Sequence, residues 1–356
     1  PATTTTTTTT TSSTTTTLMG GSIQGSVLSL EGTVTTFAGT AGSAGSIDAT
    51  GIDARFNQPN DITTDGTNLY ITDMNDNLIR KIVIATGAVT TLAGTGSFGS
   101  ADGTGTAASF FYPQNITTDG TNLFVTDYKN TIRKIVITTG VVTTLVGSAG
   151  ASGSADGTGA AARFNSPTGI TTDGTNLYVT DMVNHTIRKI VIATEVVTTI
   201  AGTAGISGSA DGTGAAARFN RPRGITTDGN ILYVSDSTNS TIRKIDLVTL
   251  AVTTIIGTPG SYGTAEGIGT AAQVDDPRGL AFDGTNLYIV DYSADIIRKF
   301  AAGTGMVTTI AGNPYSAGST DGKGTAALFK GPSGVTTDGK YLYITDNKNH
   351  TIRKIR

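Results

Sequence analysis

None of the 356 residues is cysteine, which excludes disulfides, thiolate zinc sites and cysteine nucleophiles together. Charge is also scarce, at 14% of residues and a net −3, so there is no basic footprint for nucleic acid. No run reaches eighteen apolar residues, so no membrane-spanning segment is expected. The two histidines, His185 and His350, are too few for a three-histidine metal site. Gly-x-Ser-x-Gly and phosphate-loop motifs are missing as well. There is no positively charged apolar leader, and a chain opening on Pro1 is expected to be a mature form whose signal has been removed. Glycine, by contrast, is abundant, with 47 copies against 37% apolar residues. That balance describes an ordered, turn-rich chain.

What is present is repetition. Ile-Arg-Lys followed by an apolar residue begins at Ile79, Ile132, Ile187, Ile242, Ile297 and Ile352, with arginine spacings of 53, 55, 55, 55 and 55. A period this constant marks one supersecondary unit repeated in space. The third copy shows the unit best. Gly169 to Thr172 alternates as a short strand, and Asp173-Gly174-Thr175-Asn176 is a hairpin turn. Leu177 to Thr180, Thr186 to Ile192 and Val196 to Ala201 are three further strands. Four antiparallel strands repeated six times predict an all-β, six-bladed propeller over residues 26–356, preceded by a Thr-rich tail or linker over 1–25. Between blades, the Ala-rich part of Gly202 to Asn220 is expected to make a helical turn ending at Phe219, and the six such loops to crowd one face.

The fourth-strand phrase occurs once before the first complete set and is missing after the last. Residues 33–38 should therefore pair near Ile352 and complete the last blade. Burial of Val34 and Phe37 there would stabilise the ring by about 1.5–3 kcal/mol each.

Pro-x-Gly-Ile-Thr-Thr-Asp, then Leu-Tyr-Val-Thr-Asp, then Asn-His-Thr-Ile-Arg-Lys-Ile resembles the NHL repeat. Asn184-His185 and Asn349-His350 keep its first two letters, with Thr186 and Thr351 in place of leucine. The resemblance covers about residues 27–356 and implies a six-bladed propeller closed by a terminal strand. It says little about activity, because propellers host unrelated functions. Some relatives of this fold are lyases with a histidine-held metal in the channel, a reading the histidine count disfavours.

Three acidic series recur in register: Asp48, Asp102, Asp156, Asp211, Glu266 and Asp321 in the loops; Asp65 and its five equivalents in the turns; Asp73 and its five equivalents at strand ends. A group present in every blade is expected to solve a problem every blade has. For the strand-end aspartates that is pairing the Arg-Lys strand or tying the next loop. The loop aspartates are expected to close their own turns. Each loop offers one carboxylate, so Ca²⁺ is a possible ligand but a poor one, and no cofactor is expected.

Function should reside where copies differ. The residue after each repeat proline reads Asn60, Gln114, Thr168, Arg223, Arg278 and Ser333, and the next glycine becomes Asp61 and Asn115 in the first two copies. Arg221, Arg223 and Arg278 would make one side of the ring opening guanidinium-rich, with Asp61 and Asn115 on another, suiting an anion or a partner loop. Asp275 and Asp276 lie beside the arginines, and Phe98, Phe110, Phe111, Tyr112, Tyr262 and Tyr315 add aromatics to the loops. The threonine run, here marked by Thr3, Thr11 and Thr17, reads as a glycosylated stalk or as a strand that docks on the next subunit. The expectation is an extracellular or cell-surface, non-enzymatic structural or adhesive propeller that binds protein, including itself. A monomeric ligand-binding propeller on a stalk is the alternative.

Overall fold

The computed structural model describes residues 17–25 and 28–356, and it is a six-bladed β-propeller. The first blade runs through Pro59–Thr64, Asn68–Asp73, Leu78–Val83 and Val89–Ala93, paired antiparallel from the channel outward. Each later blade repeats that order. Alternate residues face opposite neighbours, so the core is not one mass but six clusters, each between two adjacent blades. The last blade borrows its fourth strand from Thr33–Ala38, with Val34 opposite Ile355 and Thr36 opposite Arg353. Val34 is fully buried between the last two blades, and the Phe37 ring lies 5.4 Å from that of Tyr343, edge-on. The ring therefore closes through the strand that the register of the repeats had singled out.

Two details differ from the four-strand expectation. Five of the six blades have a fifth, two-residue strand, such as Gly212–Thr213 paired with Val252 and Ala251. The inter-blade loop supplies it. Each loop leaves the outer strand at one face and descends the outer edge of the next blade before returning to the channel mouth, so the loops do not pile on one face. They also cover part of the outer edges that would otherwise offer unpaired backbone. The alanine run gives a single 3-10 turn, Gly214–Ala216, rather than a helical turn reaching Phe219. Phe219 follows it in extended chain and is buried in an inter-blade core.

The repeated arginine holds this loop in place. Arg243 is fully buried. It donates to Asp236 at 2.8 Å, to the Arg218 carbonyl at 2.8 Å and to Asp211 at 2.8 Å, with its guanidinium 5.1 Å from the Phe219 ring. The loop aspartates thus do not simply close their own turns. Asp211 reaches the third-strand arginine and also accepts the Thr254 N–H of the fourth strand at 3.2 Å. The strand-end aspartate ties strand to loop, since Asp236 also accepts the Asn220 N–H at 2.7 Å. Turn aspartates cap their own hairpins, as Asp173 does for the N–H groups of Thr175 and Asn176. The fifth blade departs from the pattern. Glu266 and Val274 replace the acid and the aromatic, and Arg298 stands 3.7 Å from Asp291.

Candidate functional site at the channel mouth

The first strands line the channel, and their first residues ring one mouth. A hydroxyl scaffold fixes that ring. The second-strand Thr180 Oγ1 accepts the Gly169 N–H at 2.6 Å and donates to the Arg223 carbonyl of the next blade at 2.6 Å. Ser235 donates likewise to the Arg278 carbonyl at 2.7 Å, and Thr72 to that of Gln114 at 2.7 Å. The backbone is thereby pinned blade to blade while the side chains remain free to differ. They enclose a basin of about 240 Å³ lined by all six post-proline residues and by Tyr292.

Arg223 and Arg278 share one side of this basin. Arg278 is engaged: it pairs with Asp276 at 3.0 Å and lies 3.2 Å from the centroid of the Tyr292 ring. Lys348 Nζ stands 4.9 Å from the same ring. Arg223 is half-buried, and among the described residues its guanidinium makes no hydrogen bond and no ion pair. Burial, then the neighbouring charge of Arg278, pulls its pKa below the usual arginine range. Arg221 lies outside the basin, exposed and left-handed at φ 53°. Asp275 points away toward the Tyr315 hydroxyl at 3.4 Å.

Asp61 and Asn115 lie one residue deeper, at a level held elsewhere by glycine. The glycines are needed there: a Cβ on Gly224 would sit 1.8 Å from the Arg278 carbonyl oxygen, and one on Gly169 2.0 Å from that of Arg223. Asp61 and Asn115 are thus the two side chains at that level. Both line a smaller cavity of about 20 Å³ beneath the basin, and Asn115, Gly224 and Gly279 line both cavities. Asp61 is buried, accepts the Ile116 N–H at 3.0 Å and has no basic partner among the described residues. Burial pushes its carboxyl up to about 7, against the pull of the Ile116 and Ile62 N–H groups and Asn115.

The opposite mouth is closed by the chain itself. Thr17–Met19 and Ser22–Gln24 pair as a hairpin across Gly20 and Gly21, whose φ values of 60° and 73° suit a two-residue turn of type I′. The Gly21 carbonyl accepts from the Thr64 N–H at 3.3 Å, from Thr63 Oγ1 at 3.0 Å and from Thr336 Oγ1 at 2.7 Å. The Gly20 N–H reaches the Thr172 carbonyl, and the Gln24 amide that of Thr227. The Gly25 N–H donates to the Asp283 carbonyl. Five blades hold the hairpin by hydrogen bonds, and Gly20 is the floor of the smaller cavity. Thr17 therefore opens an element seated in its own ring, while Thr3 and Thr11 lie outside the described residues.

The histidines are staples between blades. His185 and His350 adopt φ values of 59° and 61°, and each Nδ1 accepts a backbone N–H of the next blade, Arg221 and Gln58, at 3.0 Å. Asn77 does the same for Tyr112. The loop aromatics divide. Phe110 is core, whereas Phe98, Phe111, Tyr112 and Tyr128 form a cluster at the rim, with Phe98 58% exposed. Among the described residues no three His, Cys, Asp or Glu side chains converge as metal ligands.

No family model matches the chain. It is similar to NHL repeat-containing protein 2. Identity is 37% over 141 residues for Bos taurus (36% of this chain, 19% of that one) and 27% over 286 residues for Gallus gallus (68% and 38%). The chain thus spans well under half the length of these relatives. Among solved structures it is similar to an auxiliary nutrient binding protein from Bacteroides thetaiotaomicron, with TM-score 0.69, 18% identity and coverage of 91% and 76%. It is also similar to a catalytically inactive virginiamycin B lyase from Staphylococcus aureus, with TM-score 0.52, 15% identity and coverage of 87% and 97%. At these identities the two structures share the fold alone.

Proposed function

We propose that this chain, a six-bladed propeller of the NHL-repeat type, is a non-enzymatic binding module whose open mouth holds the carboxylate of a ligand. One observation carries the reading: the half-buried Arg223 guanidinium, beside Arg278, lines the basin with no hydrogen bond or ion pair among the described residues. A cation removed from bulk water without an anion is unfavourable, and a planar guanidinium fork fits a carboxylate in two-point contact. The similarity to an auxiliary nutrient binding protein agrees in kind. Against catalysis, the channel wall is mostly threonine, which has no group titrating near neutrality. Asp61 does titrate there, but its cavity brings no second acid, base or nucleophile to it beyond amide, hydroxyl, aliphatic and glycine neighbours. The loop carboxylates that Ca²⁺ would need already face guanidinium groups in five of six blades.

We place the module outside the cell or at its surface, on the strength of the threonine tract. Self-assembly through the tail would rest on residues before Thr17, since the following segment is bound within its own ring. Titration calorimetry with N-acetyl-glycylglycine and its C-terminal amide tests the carboxylate reading. The acid should bind at least tenfold more tightly, and Arg223→Gln should remove the difference. Equal binding of acid and amide by the unaltered protein would sink it.

A further inference from the structure

The mouth has a second charged level that a simple anion site does not use. In a ring of six, the first blade stands opposite the fourth and the second opposite the fifth. Asp61 therefore faces the blade of Arg223 across the channel, and Asn115 faces the blade of Arg278. Asp61 lies one strand residue deeper than the arginines, an axial step of about 3.3 Å. Asn115, Gly224 and Gly279 line both cavities, so the two levels adjoin across these three residues.

Neither charge is explained by the fold. The propeller solves the same position with glycine in four blades, and each of those glycines meets a neighbour within 2.5 Å of a would-be Cβ. The first two blades break that rule to place a buried carboxylate beside a carboxamide. Among the described residues no cation answers Asp61, and no carboxylate forms an ion pair with Arg223, whose charge is favoured only at a distance by Asp276. A buried carboxylate without a counter-charge is unfavourable unless something else brings the charge. The hairpin closes the channel below, so a ligand enters from the mouth and stops above Gly20.

We infer that the basin is a site for a small zwitterion, about the size of a dipeptide, whose carboxylate meets Arg223 and Arg278 and whose ammonium meets Asp61 and Asn115. The inference rests on the carboxylate reading above and adds the cationic half of the ligand. The volume of about 240 Å³ suits a solute smaller than the usual drug-sized occupant. The mostly polar lining suits a ligand charged at both ends. Chain length of the ligand is set by the offset of the two charged levels across the ring.

Calorimetry at pH 8 with glycylglycine and N-acetyl-glycylglycine tests this directly, because acetylation removes the ammonium and keeps the carboxylate. The free dipeptide should bind at least tenfold more tightly than its acetylated form. Asp61→Asn, which keeps an oxygen for the Ile116 N–H, should erase that preference without weakening the acetylated peptide. If both peptides bind equally, and Arg223→Gln abolishes both, the carboxylate reading stands and the zwitterion inference falls. A preference that survives in Asp61→Asn also overturns the inference. If neither peptide binds, both readings fall.

Discussion

At one end of the channel five of the six blades present the same Thr-Thr-Asp-Gly turn, and at the other the six post-proline residues comprise five different kinds. The uniform end is closed by a hairpin that reads no side-chain differences: it bonds hydroxyls and carbonyls that the repeats share. The varied end is open and carries the Arg223 guanidinium, unpaired among the described residues, and the glycine-to-aspartate exception. Both ends rest on the same strands and the same pinned backbone. What repeats serves the ring, and what departs from the repeat is left over for a ligand.

Both mouths depend on residues 33–38. Without that strand the ring should open, and neither mouth should survive. Light scattering should show aggregation and calorimetry a lost cooperative transition; a monomer with unchanged melting would refute the closure. The next largest effect separates repeated from unrepeated arginines. Arg188→Ala should cost about 3–5 kcal/mol, because it strands the buried Asp181 carboxylate and frees a loop. Arg223→Gln should change stability by about 0.5 kcal/mol or less, since among the described residues the side chain makes no hydrogen bond or ion pair to lose. Denaturant titrations of the two variants measure the gap.

A smaller effect addresses the closed end. A Cβ on Gly21 would lie 2.4 Å from Thr63 Oγ1, at a φ of 73° that side chains rarely adopt. Gly21→Val should unseat the hairpin at a cost of about 1–3 kcal/mol, and amide exchange at Thr64 should quicken. Unchanged exchange there would mean that the hairpin does not depend on its turn. The smallest effect has the opposite sign. Because burial raises Asp61 to about 7, the folded protein holds a proton that the unfolded chain releases above about pH 4. Its contribution to stability therefore falls as pH rises from about 4 to 7. Asp61→Asn should be neutral near pH 4 and stabilising by about 0.5–2 kcal/mol above pH 7, which melting curves across pH will test.

Much of the fold was legible because repetition multiplies a weak signal by six. The register of Ile-Arg-Lys alone locates the strand that the last blade lacks. The varied positions were legible for the converse reason, that Arg223, Arg278, Asp61 and Asn115 interrupt a pattern. Tyr292 carries the same kind of signal, since it follows a strand-end aspartate at a position that also varies between copies. The hairpin had no copy to reinforce it. Its signal was local, a Gly20-Gly21 pair between Leu18-Met19 and Ser22-Ile23, and the threonine run beside it drew that segment into the tail. The arginine's grip on the loop was half legible, since partners 25 to 33 residues away are set by how the loop folds back rather than by spacing.

The borrowed strand also imposes an order of events during synthesis. Thr36 and Arg353 are 317 positions apart, so the strand made early must wait, with an unpaired edge, until nearly the whole ring has been translated. Such a distant pairing is slow to find, and five blades can dock locally before it forms. The sockets for the hairpin span five blades, from Thr63 to Thr336, and come together only when the circle is complete. Seating of Gly20 and Gly21 is thus a late step in folding, and a protected Thr64 amide would mark a finished ring.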